Sequence, residues 1–243
     1  MLGSFRAMVA VAAAVLLLLA SGCSEKLARQ KGLSDADLLA RGQKSADLKK
    51  YENAVEAFQL LIERYPNSPL APRAQFSLAS CRASMKDYLE AEVAFDDFLR
   101  LYPADPKVPD ALYMKGDLLH KQIQAVGRSQ DKTREAIEAY KLFLRKEPDS
   151  PRSAAAVARI KEMRSLLVTH EEAVVSHLLS RKLYESAEVR AKRVIGEYPD
   201  AAPTPKLLSL LAEALEKQGK KDEASEVVKA RDDKFPQQGS GKR

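Results

Sequence analysis

The residues able to do chemistry in this chain are few, and their spacing argues against catalysis. Three histidines occur, His120, His170 and His177. His170 and His177 lie seven residues apart, not at the four-residue spacing with which a zincin helix turns two imidazoles toward zinc. They read as solvent-facing or bridging histidines, and no metal site is expected. Of the two cysteines, Cys81 sits in the apolar stretch QFSLASCRA and reads as a buried structural thiol, the alternative being a reactive one. There is no GxGxxG, GxxxxGK[ST], GxSxG or CxxC. Neither a phosphate cradle, nor a nucleophile elbow, nor a redox pair is therefore signalled. Carboxylates are plentiful but fall into helical charge patterns, such as Glu188 with Lys192. The expectation is a chain that is not an enzyme and needs no cofactor.

Cys23 is different, because of what precedes it. Residues 1–22 read as a targeting segment, with Arg6 as a short positive region and Met8–Ala20 a run of Ala, Val and Leu. The run is short for a bilayer span and suits a signal-peptide core. It ends Leu19-Ala20-Ser21-Gly22-Cys23, which resembles a bacterial lipobox with Ala20 where leucine is usual. That resemblance implies a diacylglycerol thioether on Cys23 and an acylated amino terminus. Three acyl chains would anchor stably where one alone is marginal. Ordinary cleavage with an incidental Cys23 is the other reading. Ser24 in place of aspartate resembles outer-membrane sorting, with the body of the chain in the periplasm and residues 23–33 as a tether.

The rest of the chain is organised by a repeat. Tyr51–Pro66, YENAVEAFQLLIERYP, returns as Tyr88–Pro103, YLEAEVAFDDFLRLYP, 37 residues later. Further copies run from Ala136 through Tyr140 to Pro148, from Tyr184 through Ala187 and Ala191 to Pro199, and from Ala224 through Val228 to Pro236. A period in the thirties with this spacing marks a helical repeat array. Each copy is the second helix, B, of a pair. The A helices are expected from Ser34-Asp35, from about 72 to 84, across VPDALYMKGDLLHKQ, from Ser153 to Lys182 with a bend near Thr169, and from Pro205 to Gly219. An eight-residue polar insert around Gly127–Asp131 separates the third pair. No segment alternates with period two. The fold class is all-α, an α-solenoid of about five tetratricopeptide-like helix pairs. Three repeats occupy 34–150 and two occupy 151–236, and the tail 237–243, QQGSGKR, is expected to be disordered. Truncating Phe58 or Phe95 should cost about 3–5 kcal/mol. Small residues at Gly42, Ala79, Gly116 and Ala212 are expected to face the alanines of the B helices.

A formal charge of +6 arises from 40 basic residues interleaved with 34 acidic ones. That is a solvated surface of mixed sign, weakly suited to acidic peptide ends or anionic lipid, and nucleic-acid binding is not expected. In tetratricopeptide geometry the A helices line a concave face. The residues turned toward it would include Arg73 and Phe76 in the second repeat and Tyr113, Asp117 and His120 in the third. An apolar-aromatic floor beside an arginine suits an extended peptide ending in an aromatic residue and a free carboxylate. Equally, Phe76 and Tyr113 could fill gaps between repeats.

The lipobox, the runs LIERYPNSPLAPRAQFSLA and YPADPKVPDALYMKG, and the long helix before the YPD of Tyr198–Asp200 together resemble the BamD (YfiO/ComL) family. These are lipoproteins of the outer-membrane β-barrel assembly machinery. The likeness covers nearly the whole mature chain, including the uneven repeat spacing. It implies a periplasmic scaffold whose amino-terminal repeats, 34–150, bind unfolded outer-membrane protein substrates. The carboxy-terminal repeats, 151–236, would dock a POTRA domain of the barrel insertase and contact smaller accessory lipoproteins. Counted back from Pro199, Arg190 occupies the family's interface arginine. Its own helix offers it no ion-pair partner, which leaves it free to seek one elsewhere. A pilotin-like or cell-wall-coordinating adaptor is the alternative function.

Overall fold

The computed structural model describes residues 32–123 and 130–236. The targeting segment 1–22, Cys23, most of the 23–33 tether, residues 127–129 of the insert and the 237–243 tail lie outside the described residues. Ten α-helices and no strand occur among those described: α1 (Asp35–Asp47), α2 (Tyr51–Arg64), α3 (Ala71–Met85), α4 (Tyr88–Leu101), α5 (Val108–Gln122), α6 (Asp131–Lys146), α7 (Ser153–Ser180), α8 (Tyr184–Glu197), α9 (Pro205–Lys217) and α10 (Lys221–Lys234). They follow one another as the five expected helix pairs of an all-α, tetratricopeptide-like fold.

Local chemistry sets the ends. Ser34 Oγ accepts from Asp37 N at 3.2 Å while Asp37 Oδ2 accepts from Ser34 N at 3.1 Å, a reciprocal capping box. Pro72, Pro109 and Pro205 stand in the first turns of α3, α5 and α9, where a missing N–H costs nothing. Tyr65, Tyr102 and Tyr198 cap their helices, each amide donating to a carbonyl four residues back, before proline ends the run. The turns inside four pairs share another feature. Lys49, Lys86, Lys182 and Gly219 stand two residues before the next helix with φ of 56°, 65°, 60° and 80°. A left-handed residue is needed at each, and only the last is glycine.

The chain divides into two compact units, Met1–Ala94 and Phe95–Arg243. In the first, α1 packs on α2, α2 on α3, and α1 reaches α3. Phe58, Leu38 and Leu61 are fully buried there, and Cys81 is 4% exposed with burial pushing its thiol pKa up, so it is an inert core residue. In the second, successive helices from α5 to α10 pack in order, and α7 also meets α9. Its core holds Tyr140, Phe143, Met163, Leu167 and Leu215.

One expectation needs correction at two positions. Gly42 and Gly116 meet aromatic rings of the B helices as their nearest neighbours rather than the alanines. A methyl on Gly42 would overlap the Phe58 ring, lying 2.7 Å from its Cδ1, and one on Gly116 would lie 2.9 Å from Tyr140 Cε1. The ring sits four residues beyond the alanine, one helical turn further along the same face. In the fourth pair the sizes at this register are exchanged, with Val175 on α7 and Ala191 on α8, both buried. The apolar stripe of α7 shifts along its 28 residues. Val157 is 55% exposed, whereas Glu171 and Glu172 are buried. The helix packs on α6, α8 and α9, and its buried face includes Glu171 and Glu172, which bond to Arg190 of α8 and to Thr204.

Candidate functional site

In the first unit, Arg73 and Phe76 lie one turn apart on α3, Arg73 exposed and Phe76 half-buried. With the Gln43 carboxamide oriented by its hydrogen bonds, its oxygen accepts from Arg73 Nε at 2.8 Å and Nη2 at 2.7 Å. Gln43 comes from α1, so packing of one A helix on the next fixes this guanidinium. A neutral carboxamide orients the arginine without cancelling its charge, which leaves it able to receive a carboxylate.

In the second unit, Tyr113, Asp117 and His120 lie along α5, and each is engaged within the unit. The Tyr113 ring meets Tyr140 edge-on at 5.6 Å and Phe143 at 5.1 Å. The Arg152 guanidinium stacks 4.8 Å above it and pairs with Asp110. Tyr113 is thus packed against α6 and Arg152 while remaining half-buried. Asp117 accepts from the Tyr140 hydroxyl, and burial together with that bond pushes the Tyr140 phenol far up. His120 Nε2 lies 3.3 Å from Glu162 Oε1.

Arg190 is not the unpartnered arginine that its own helix suggests. Its partner comes from α7: Nε donates to Glu171 Oε2 at 2.6 Å and Nη2 to Oε1 at 3.1 Å. The Glu171 side chain is 5% exposed and Arg190 is 35% exposed. Burial is the largest single influence and would raise the Glu171 carboxyl pKa, but the Arg190 hydrogen bonds and the charges of Arg190 and Arg193 together outweigh it and hold the group below its ordinary value. Arg193 Nη2 stands 3.6 Å from the same carboxylate and is more exposed. Leu178, Glu185, Ser186, Val189, Arg190 and Arg193 line an open depression of about 510 Å³. On the other flank of Val189, Glu185, Glu188, Gln218 and Lys220 line a second of about 480 Å³.

Below this face, buried carboxylates join the fourth pair to the fifth. Glu172 accepts from Thr204, whose hydroxyl oxygen in turn caps α9 by accepting from Leu207 N at 3.0 Å. Glu188 accepts from Lys192 and Lys220 at 2.7 Å each and from Gln218 at 2.9 Å. The bonds from Lys192 and Lys220 overcome burial and bring the Glu188 carboxyl down to about 2. The helical charge pattern signalled the pairing of Glu188 with Lys192 but missed Glu171 and Glu172 and the reach of Glu188 to Lys220; the one signal available for the first two was their place on an otherwise apolar helix face.

His177 is exposed, and His170 is half-buried with an Nδ1 that has no hydrogen-bond partner. Among the described residues no cluster of three or more His, Cys, Asp or Glu could hold a metal ion, and no helix is long and apolar enough to cross a membrane.

The chain resembles known proteins over most of its length. A family model described as "YfiO: Outer membrane lipoprotein" matches residues 32–230. The outer membrane protein assembly factor BamD of Neisseria meningitidis serogroup A is 26% identical over 209 residues, covering 82% of this chain and 78% of that protein. The BamD of Haemophilus influenzae is 27% identical over 223 residues, covering 88% and 83%. Among solved structures, a crystal structure of MamA protein aligns over 86% of this chain and 97% of that one at 15% identity with a TM-score of 0.43, too distant to carry an argument. The breadth of the family match, joined to the five helix pairs, places this chain in the YfiO family of outer membrane lipoproteins.

Proposed function

We propose that this chain is a non-enzymatic scaffold of outer-membrane β-barrel assembly, working at the periplasmic face of the outer membrane. Acyl chains on Cys23 hold it there, and no other cofactor takes part. The repeats in 34–150 capture unfolded outer-membrane protein segments, and those in 151–236 dock the POTRA domain of the barrel insertase. Accessory lipoproteins would join the same assembly.

One observation carries the docking half of this reading. Arg190, at the family's interface position, is oriented by the buried Glu171 beside an outward Val189 that is 68% exposed. A pre-set arginine next to an uncovered apolar side chain is the composition of an interface anchor. Peptide capture rests on Arg73, charged and held by Gln43, with Phe76 one turn away; Tyr113, Asp117 and His120 already have partners in their own unit. A peptide ending in an aromatic residue and a carboxylate complements that pair.

The test is an affinity purification of the full chain from detergent-solubilised envelope. Co-purification of a POTRA-containing barrel protein is expected. Recovery of a secretin or a peptidoglycan synthase in its place would overturn the proposal in favour of a pilotin-like or cell-wall adaptor. The anchor is tested separately: Cys23→Ala should move the protein from the membrane to the soluble fraction, and unchanged fractionation would remove it.

A further inference from the structure

Arg152 and Arg164 each reach a carboxylate on another element, Asp110 of α5 and Asp200 of the turn after α8, so their charges are balanced inside the fold. Arg73 of α3 also crosses to another helix, but on α1 it meets the carboxamide of Gln43. The Gln43 oxygen takes the Nε hydrogen and one hydrogen of Nη2, the edge of the guanidinium beside its stem, at 2.8 and 2.7 Å. No other bond to this guanidinium occurs among the described residues. Both hydrogens of Nη1 and one of Nη2 remain, and together they make the outward fork that matches a carboxylate. Arg73 is exposed and Gln43 half-buried, so the fork has access to solvent while its inner edge is held.

We infer that Gln43 is a positioning residue that sets the selectivity of the Arg73 site: it fixes the direction of the outward fork and, being neutral, keeps the site positive for the terminal carboxylate of a peptide. The inference rests on the peptide-capture role proposed above for Arg73. A glutamate at position 43 would hold the same two hydrogens but balance the charge, and an incoming carboxylate would then meet a neutral pair with a second anion beside it. A leucine there would leave the charge but release the side chain, whose rotamers would have to be frozen again on binding. Phe76 stands three residues further along α3, with such pairs about 5–6 Å apart at their Cβ atoms. The last residue of a peptide carries its carboxylate and its side chain on one Cα, so an aromatic end can place one group on Arg73 and the other on Phe76. An internal aspartate or glutamate brings a carboxylate with no ring attached, which is the discrimination the fork and the ring make together.

The experiment measures, by fluorescence anisotropy, binding of the detergent-solubilised full chain to a short synthetic peptide ending in phenylalanine, made once with a free carboxyl terminus and once as the carboxamide. Wild type should bind the carboxylate form about tenfold more tightly than the amide. Gln43→Glu is isosteric with the native side chain and should bring that preference below about twofold by weakening the carboxylate form alone, with urea unfolding unchanged or improved. Gln43→Leu should keep a preference of about threefold, and Arg73→Ala should remove it. Circular dichroism checks that each variant stays folded. A Gln43→Glu variant that keeps the preference of about tenfold, or that loses both peptide forms alike, overturns the inference while capture at Arg73 stands. If wild type binds the two forms equally, or neither, the capture role of Arg73 fails and takes that of Gln43 with it.

Discussion

Replacing Arg190 by alanine separates what the arginine does for the fold from what it does for a partner. Glu171 is nearly inaccessible, and both of its oxygens are bonded to Arg190. Removing one member of a buried pair usually costs about 3–5 kcal/mol, because the remaining charge stays desolvated. Here the cost should be lower, about 2 kcal/mol, since Arg190 is partly exposed and the Arg193 guanidinium, 3.6 Å away, can swing in. Glu171→Gln alone keeps an acceptor for Arg190 and should cost about 1 kcal/mol. The double variant should cost less than the two singles added, with a coupling of about 1 kcal/mol. Urea unfolding of the four proteins, followed by far-ultraviolet circular dichroism, completes the cycle. The sign with pH is fixed too. The depressed Glu171 carboxyl contributes stability above its ordinary pKa of 4.5 and loses it as pH falls, so the Arg190→Ala deficit should be larger at neutral pH than in acid. A loss under about 0.5 kcal/mol, or one that grows on acidification, would refute the account of a buried charge held by Arg190. The result also bears on binding, because weak docking by an Arg190 variant mixes lost contact with lost order.

Other predictions concern the repeat itself and its charges. Gly42→Ala pushes a methyl into the fully buried Phe58 ring and should cost about 2–3 kcal/mol in thermal or urea unfolding, more than Gly116→Ala, whose methyl overlaps the Tyr140 ring less deeply. Lys86→Gly relieves a left-handed lysine in an exposed turn and should raise stability by about 0.5–1 kcal/mol; a loss would show that the lysine side chain matters there. Glu188, brought from 4.5 to about 2 by Lys192 and Lys220, contributes stability fully above about pH 4.5 and loses it as pH falls toward 2. Glu188→Gln should therefore flatten the acid limb of the stability–pH curve, and an unchanged limb would count against the cluster.

Much of the fold was legible in the sequence, for a definite reason. Helix period, proline stops and small-residue spacing are local, and the repeat states them five times over. The bounds of α5 follow from the VPDALYMKGDLLHKQ run, and those of α2, α4 and α8 fall one residue short of the tyrosine expected to end them. The resemblance carried by the uneven spacing led to the family that the match over 32–230 bears out.

What only the tertiary structure decided is which polar side chains meet. Arg190 finds Glu171 across 19 residues, Thr204 finds Glu172 across 32, Lys220 finds Glu188 across 32, and Arg152 reaches back 42 to Asp110. A glutamate on a helix face reads the same from its neighbours in sequence whether it points at water or at an arginine on the next helix. The repeat determines that helices pair. Their packing then decides which carboxylates are buried and which arginine is oriented by them.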